Sequence, residues 1–127
     1  MKQTEKATVT DEKLVALLQC MEVVGGKWKP ILLYCISGGK NRFNMLHKHV
    51  QGITKQMLSK QLKELEKSGL IERKVYAEVP PRVVYSLTAK GQSLSPVLQA
   101  MQRWGQKKPK QVIHASKKKN QQLPLFG

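Results

Sequence analysis

The chain has 127 residues, 40% of them hydrophobic, which is enough for one compact domain with a modest core and too little for a large enzyme with a deep cleft. Lysine and arginine number 23 against 8 acidic residues, and the net charge of +15 favours a polyanionic partner such as nucleic acid. No apolar run is as long as a membrane span and no signal peptide is recognisable, so we expect a cytoplasmic protein that uses no membrane.

The charge is distributed unevenly along the chain. Residues 1–24 carry a net charge of −1, residues 25–106 carry +10 and residues 107–127 carry +6. Apolar periodicity is confined to the middle, because charge and glutamine dominate both ends. We therefore expect a flexible N-terminus over 1–9, one folded domain over 10–106 and a flexible basic tail over 107–127.

Three predicted helices open the folded region. Apolar residues at helical spacing indicate a first helix, which Thr10 or Asp11 can cap and which Gly25 and Gly26 end. The second, PILLYCIS, has Pro30 as its first residue and is apolar almost throughout, so it is predicted to be the central core helix. The third covers RFNMLHKHV and presents its apolar residues on one side.

A fourth helix is predicted to start at Thr54, whose hydroxyl can cap it. At about 100° per residue, Leu58, Leu62 and Leu65 form its buried stripe. Both of its acidic residues lie in the C-terminal half, and this asymmetry argues against an ordinary solvated face. The polar side chains of the N-terminal half are cationic or neutral: Lys55, Gln56, Ser59, Lys60 and Lys63.

A β-hairpin and a last helix complete the domain. Gly69 is typical of the end of the fourth helix, and two β-rich runs, LIERKVYAE and RVVYSLT, flank VPP. Pro80 and Pro81 cannot donate ladder hydrogen bonds, so they belong at the tip or edge of the hairpin. A final amphipathic helix is predicted over about 89–106, opened by Thr88.

The order of these elements is typical of one fold. Two consecutive short helices followed by a two-stranded hairpin match a winged helix-turn-helix, a mostly α fold with a small β-hairpin. The fourth helix would then enter the major groove of DNA, and the hairpin would reach the flanking backbone or minor groove.

The chain also resembles the HxlR-type transcriptional regulators, bacterial relatives of the MarR group. The motifs that carry the resemblance are GGKW at 25–28, RFNML at 42–46, GITKQMLSKQLKELEKSGLIER at 52–73, VPPRVVYSLTAKG at 79–91 and VLQAMQRWG at 97–105. The resemblance implies a homodimeric DNA-binding repressor or activator that dimerises through its first and last helices. The dimer-interface residues expected on those helices are Leu14, Leu17, Leu18, Met21, Leu98, Met101 and Trp104.

The family pattern also implies which residues contact DNA. It places the polar residues of the fourth helix in the groove, with Gln56 and Lys60 reading base edges, because an amide suits adenine and a lysine suits guanine. Arg82 matches the tip of the wing, where it can enter the minor groove or bind phosphate. For each cation the alternative is a plain solvated charge. The expected phosphate contacts near helix starts are Lys29, Lys40 and Arg42.

Cysteine and histidine residues suggest no metal site and no cofactor. Several family members sense oxidants through a cysteine about ten residues before the glycine pair, where this chain has Val15 and Ala16. Cys20 could substitute if its thiol were exposed and of low pKa, whereas buried reduced thiols are the plainer expectation for Cys20 and Cys35. His47 and His49 lie two apart on a helix and so face different ways.

The expected function is regulation of transcription by a homodimer on a palindromic operator in double-stranded DNA. The alternative is a non-specific nucleic-acid-binding or nucleoid-associated protein, suggested by the charge and the basic tail. QLPLF at 122–126 resembles the peptide with which replication proteins bind the sliding clamp, and its alternative is an end segment that packs on the domain. We expect no enzyme, because no nucleophile–base pair, carboxylate pair or phosphate-binding glycine loop is recognisable.

Overall fold

The computed structural model describes residues 11–107, which belong to two compact units whose boundary in the sequence falls between Ser93 and Leu94. No helix in this part of the chain is long and apolar enough to cross a membrane. The fold class expected from the sequence, mostly helical with a two-stranded hairpin, is confirmed. Within residues 11–107 the elements are α1 (Glu12–Val24), α2 (Trp28–Ser37), α3 (Phe43–His49), α4 (Lys55–Lys67), β1 (Ile71–Tyr76), β2 (Arg82–Leu87), α5 (Ala89–Gln92) and α6 (Ser95–Gln106).

Side-chain caps begin three of the helices, as their sequences predict. The Asp11 carboxylate accepts hydrogen bonds from the first-turn amides of α1, at 3.1 and 3.2 Å. The hydroxyl of Thr54 accepts one from Met57 N at 3.0 Å, and that of Thr88 accepts one from Gly91 N at 3.0 Å. Each cap satisfies backbone N–H groups that have no partner inside the helix, and so fixes where that helix starts.

Proline accounts for two departures from the predicted boundaries. Helix α2 begins at Trp28, so Pro30 is its third residue, because the first turn of a helix tolerates a missing N–H. The single final helix expected over 89–106 is instead two helices, α5 and α6. A continuous helix would have placed Pro96 in its interior, where the ring clashes with the preceding turn, whereas Pro96 lies in the first turn of α6.

The core of the first unit is built from leucine. Helices α2, α3 and α4 and the start of β1 contribute side chains that are almost wholly excluded from solvent, and none of the described polar or charged residues is buried with them. The stripe expected on α4 is confirmed by its burial. The most deeply buried of these side chains are Leu32, Leu33, Leu46, Leu58, Leu62, Leu65 and Leu70.

The hairpin is anchored at its base and extends into solvent. Its antiparallel strands pair from Ile71 opposite Leu87 to Tyr76 opposite Arg82, and the two prolines lie in the connection between them. Ile71 is buried at the base, whereas the other residues of β1 are exposed. The Tyr85 N–H donates to the Asn41 carbonyl at 2.9 Å, which ties β2 to the loop before α3.

Gly91 is a close-packing position. It is buried in α5, and a Cβ atom built on it would collide with the backbone carbonyl of Leu70. The neighbouring Thr88 hydroxyl donates to the Gly69 carbonyl at 2.5 Å, and the Lys90 ammonium donates to the Ser68 carbonyl at 3.0 Å. The absence of a side chain at Gly91 therefore lets α5 close against the end of α4.

We expect Gly91→Ala to lower the free energy of unfolding by about 1–3 kcal/mol, because the new methyl group forces backbone to move. Urea unfolding followed by circular dichroism measures the change. Gly38→Ala is the matched control, since a Cβ there meets its nearest atoms at an ordinary 3.6 Å. Equal stability of the two variants would show that α5 is not closely packed on Leu70.

Candidate nucleic-acid interface

Helix α4 is amphipathic, with its leucines in the core and its polar side chains towards solvent. Its three buried leucines lie at three- and four-residue spacing, so the opposite side of the helix faces outwards. Ser59 is half-buried at the edge of that side. The remaining residues predicted to contact DNA from this helix are exposed: Lys55, Gln56, Lys60 and Lys63.

The charge in the first turn of α4 does not stabilise the helix. An acidic residue in the first turn would interact favourably with the helix dipole, yet the first turn of α4 has none and starts with Lys55. The carboxylates of Glu64 and Glu66 come later, in the C-terminal half. The outward side of the N-terminal half therefore presents cations and neutral donors without a carboxylate, which is a surface suited to a polyanion.

The loop between α2 and α3 carries two further cations of the predicted set. Lys40 is half-buried, and Arg42 is exposed at the N-cap position of α3, where its side chain makes no capping hydrogen bond. Arg42 lies close enough to the hairpin that its charge contributes to lowering the pKa of Glu78. Together with the bond from Tyr85 to Asn41, this places the loop beside the hairpin.

Arg82 is held in a defined position near the tip of the hairpin. Its Nε and Nη2 atoms donate to Oε2 of Glu78 at 3.2 and 3.0 Å, and its guanidinium stacks over the Tyr76 ring at 4.1 Å from the ring centre. The hydrogen bond and charge of Arg82 hold the pKa of the Glu78 carboxyl below its usual range. Arg82 is thus oriented, but its charge is paired within the chain.

Lys29 is placed differently from the other predicted contacts. Its ammonium lies 2.8 Å from Oε1 of Glu64, and only 13% of its side chain is exposed, against 41% for Glu64. This hydrogen bond, and then the charge of Lys29, hold the pKa of Glu64 below its usual range. The ion pair joins the start of α2 to α4.

A groove of about 240 Å³ lies between α4 and the hairpin. It brings Ser59 and Lys63 of α4 together with Arg73 of β1, a cation that the sequence reasoning did not single out. Strand alternation could have found it, because residues two apart in a strand share a face and Arg73 follows the buried Ile71 by two. The groove is lined by Phe43, Ser59, Leu62, Lys63, Glu66, Arg73 and Tyr85.

Helix α1 exposes a continuous apolar stripe. Leu14, Leu17, Leu18 and Met21 are between 41% and 60% exposed, whereas Val24, at the end of the same stripe, is buried. A helix face of this kind is typical of a surface that another chain covers.

Helix α6, in the second unit, also exposes apolar side chains. Met101 is 51% exposed and Trp104 is 65% exposed, while Leu98 is half-buried. No residue of α6 is buried by the part of the chain that the structure describes. Both helices that the resemblance assigns to dimerisation therefore carry exposed apolar residues.

The remaining candidate residues within 11–107 do not come together as a further site. Cys35 is buried, and burial raises the pKa of its thiol, while Cys20 is half-buried on α1. In residues 11–107 no group of three or more histidine, cysteine or acidic side chains is arranged to hold a metal ion. Trp28 is half-buried at the start of α2, where the Lys27 ammonium lies 4.5 Å from the centre of its ring. The QLPLF peptide at 122–126 lies outside the described residues.

Comparison with known proteins agrees with this arrangement. The HxlR-like helix-turn-helix family model matches residues 23–112. The HTH-type transcriptional regulator YdeP of Bacillus subtilis is 52% identical over 87 residues, which cover 68% of this chain and 68% of that protein.

Solved structures give the same result. The redox regulator HypR in its oxidised form has a TM-score of 0.71 and 44% identity, and the match covers 74% of this chain and 97% of that one. A MarR-family regulator from Enterococcus faecalis has a TM-score of 0.68 and 34% identity, and the match covers 86% of this chain and 94% of that one. This chain therefore belongs to the HxlR-like helix-turn-helix family of transcriptional regulators, with a winged-helix fold of the MarR type.

Proposed function

We propose that the protein regulates transcription by binding a palindromic operator as a homodimer, with α4 as the recognition helix. The observation that carries the proposal is the outward side of the N-terminal half of α4, which presents cations and neutral donors and no carboxylate beside a projecting hairpin. This combination suits a helix that enters the major groove while the hairpin contacts the flanking DNA.

The recognition helix supplies both sequence choice and attraction. Gln56 lies in the first turn of α4, so its amide is presented to base edges, where it can pair with adenine through two hydrogen bonds. Lys60, one turn later and exposed, suits the acceptor atoms of guanine. Lys55 and Lys63 flank these residues and contact phosphates, which add affinity without sequence choice.

The flanks of the helix extend the contact to the DNA backbone. Lys40 and Arg42 lie on the loop tied to β2, and Arg73 shares a groove with Lys63. These cations beside α4 fix the depth and orientation of the helix, because phosphate contacts set the register in which bases are read.

Arg82 contacts DNA by exchanging its partner. In the free protein its guanidinium is paired with Glu78, and 37% of its side chain is exposed. A phosphate or minor-groove contact therefore competes with the Glu78 carboxylate, which also repels the phosphates. Glu78 thus weakens binding to any DNA while it keeps Arg82 oriented.

Dimerisation places two recognition helices on one face of DNA. The apolar stripe of α1 and the apolar residues of α6 supply the surfaces, since four side chains of α1 are at least 41% exposed within a single chain. A two-fold dimer would read two half-sites about one helical turn apart, which is why we propose a palindromic operator.

The first prediction from the proposed function concerns sequence choice. A duplex selected from a random library should bind at least about a thousandfold more tightly than a scrambled duplex. Gln56→Ala should weaken only the selected duplex, by about 1–3 kcal/mol. Lys55→Met should weaken both alike and make the slope of log K against log[salt] shallower by about 0.9. Fluorescence anisotropy over a salt series measures the affinities of the wild-type protein and of both variants for the two duplexes.

A general nucleic-acid binder would give a different result in the same experiment. Wild-type protein would bind both duplexes equally, and truncation after Gln106 would remove nearly all affinity, because the tail carries a net charge of +6. That outcome would reject sequence-specific regulation.

The second prediction concerns the counter-ion of the wing. Glu78→Gln should tighten binding to both duplexes by about three- to tenfold at low salt and steepen the salt slope by about 0.9, because Arg82 is freed to neutralise a phosphate. Glu22→Gln on α1 removes the same charge away from the wing and should have a smaller effect. Equal effects of the two changes would indicate that only net charge matters.

The third prediction concerns the dimer. Leu17→Glu should give a monomer in light scattering and weaken binding to the selected duplex by roughly a hundredfold or more, because two linked half-sites bind with avidity. Gln19→Glu adds the same charge to an exposed polar position of α1 and should leave the dimer intact. A monomeric wild-type protein with full affinity would contradict the proposed assembly.

A further inference from the structure

The ion pair between Lys29 and Glu64 is unusual in the burial of its lysine. The lysine ammonium and the glutamate oxygen are 2.8 Å apart, and only 13% of the lysine side chain is exposed. Lysine is normally solvated, and restricting it costs both hydration and rotamer freedom. Lys29, paired and largely covered, is therefore poorly placed to reach a phosphate.

Each charge of the pair also lies at the helix end that disfavours it. Lys29 is the second residue of α2, whose first turn contains no acidic residue. Glu64 begins the last turn of α4, which ends at Lys67. Cations are favoured near helix C-termini and anions near N-termini, so neither helix gains from its own member of the pair. The gain comes from the contact between the two helices.

Glu64 has a second cation within reach on its own helix. Lys60 lies four residues earlier, where side chains on a helix are neighbours. Its charge also lowers the pKa of Glu64, but by less than the charge of Lys29 does. Lys60 is also a proposed base contact. If Lys29 did not hold the carboxylate, Glu64 would be free to pair with Lys60 and withdraw it from DNA.

We infer that Lys29 is a positioning residue for DNA recognition, which fixes α4 against α2 through Glu64 and keeps that carboxylate away from Lys60. The inference rests on the proposed function, since it assigns α4 to the major groove. Its distinctive consequence is that a cation which touches no DNA controls sequence discrimination. A phosphate contact would control affinity alone.

The test compares discrimination, defined as the affinity for the library-selected duplex divided by that for a scrambled duplex. Lys29→Met and Glu64→Gln should each lower discrimination by about tenfold, the size of coupling usual for residues in contact. The double variant should be no worse than Glu64→Gln alone. The affinity of Glu64→Gln for the selected duplex is decisive. If the position of α4 did not matter, removing a negative charge should strengthen binding to DNA, whereas loss of positioning should weaken it.

Two controls separate positioning from charge and from stability. Lys29→Arg keeps a cation at the site and should retain most of the discrimination, whereas Glu72→Gln removes one carboxylate from an exposed position of β1 and should leave discrimination unchanged. Thermal unfolding of each variant establishes that the protein is folded at the temperature of the binding experiment. A purely structural role would lower the unfolding temperature while the folded fraction discriminated normally.

The outcomes are distinguishable. If Lys29→Met weakens both duplexes equally and Glu64→Gln strengthens both, Lys29 is a phosphate contact and the inference is overturned. The inference also fails, while the proposed function stands, if wild-type protein and both variants discriminate equally well. If wild-type protein prefers no sequence, the proposed function fails first and the inference falls with it.

Discussion

The packing of three leucines on α4 is the constraint on which the rest of the structure depends. Leu58, Leu62 and Leu65 are each at most 2% exposed, so they fix the rotation of the helix about its axis. Because side chains repeat with the helical period, fixing one side fixes the other, and Gln56 and Lys60 face solvent as a result. The hydrophobic core of this small domain therefore determines what the proposed recognition surface presents.

Local features of the sequence were sufficient to predict most of the fold. Each of these features depends on residues that are close together in the sequence, so the local pattern predicts it. Examples are the cap at Thr54, the cap at Thr88 and the leucine period of α4. The break between α5 and α6 was missed although Pro96 marks it, because a long apolar stripe outweighed one proline.

Contacts between distant parts of the chain were the features that could not be predicted. The pairing of Lys29 with Glu64 depends on how α2 packs against α4, and the closeness of Gly91 to Leu70 depends on the fold around both. In the sequence Lys29 is one cation among many in a basic chain, and nothing local distinguishes it from Lys40. Composition can thus predict a cationic surface, but only tertiary structure assigns a task to each cation.

The two ion pairs of the described chain show how burial divides those tasks. Both join a cation to a carboxylate near the proposed DNA-binding surface, at 2.8 Å for Lys29 and 3.0 Å for Arg82. An exposed pair is screened and worth little, so in the proposed complex DNA replaces Glu78 at Arg82, which is 37% exposed. Lys29 is only 13% exposed although Glu64 is 41% exposed, so separating them would leave the lysine without its counter-ion in a poorly solvated place. The pair at Arg82 therefore suits the proposed exchange with DNA, and the pair with the covered lysine suits holding the proposed recognition helix.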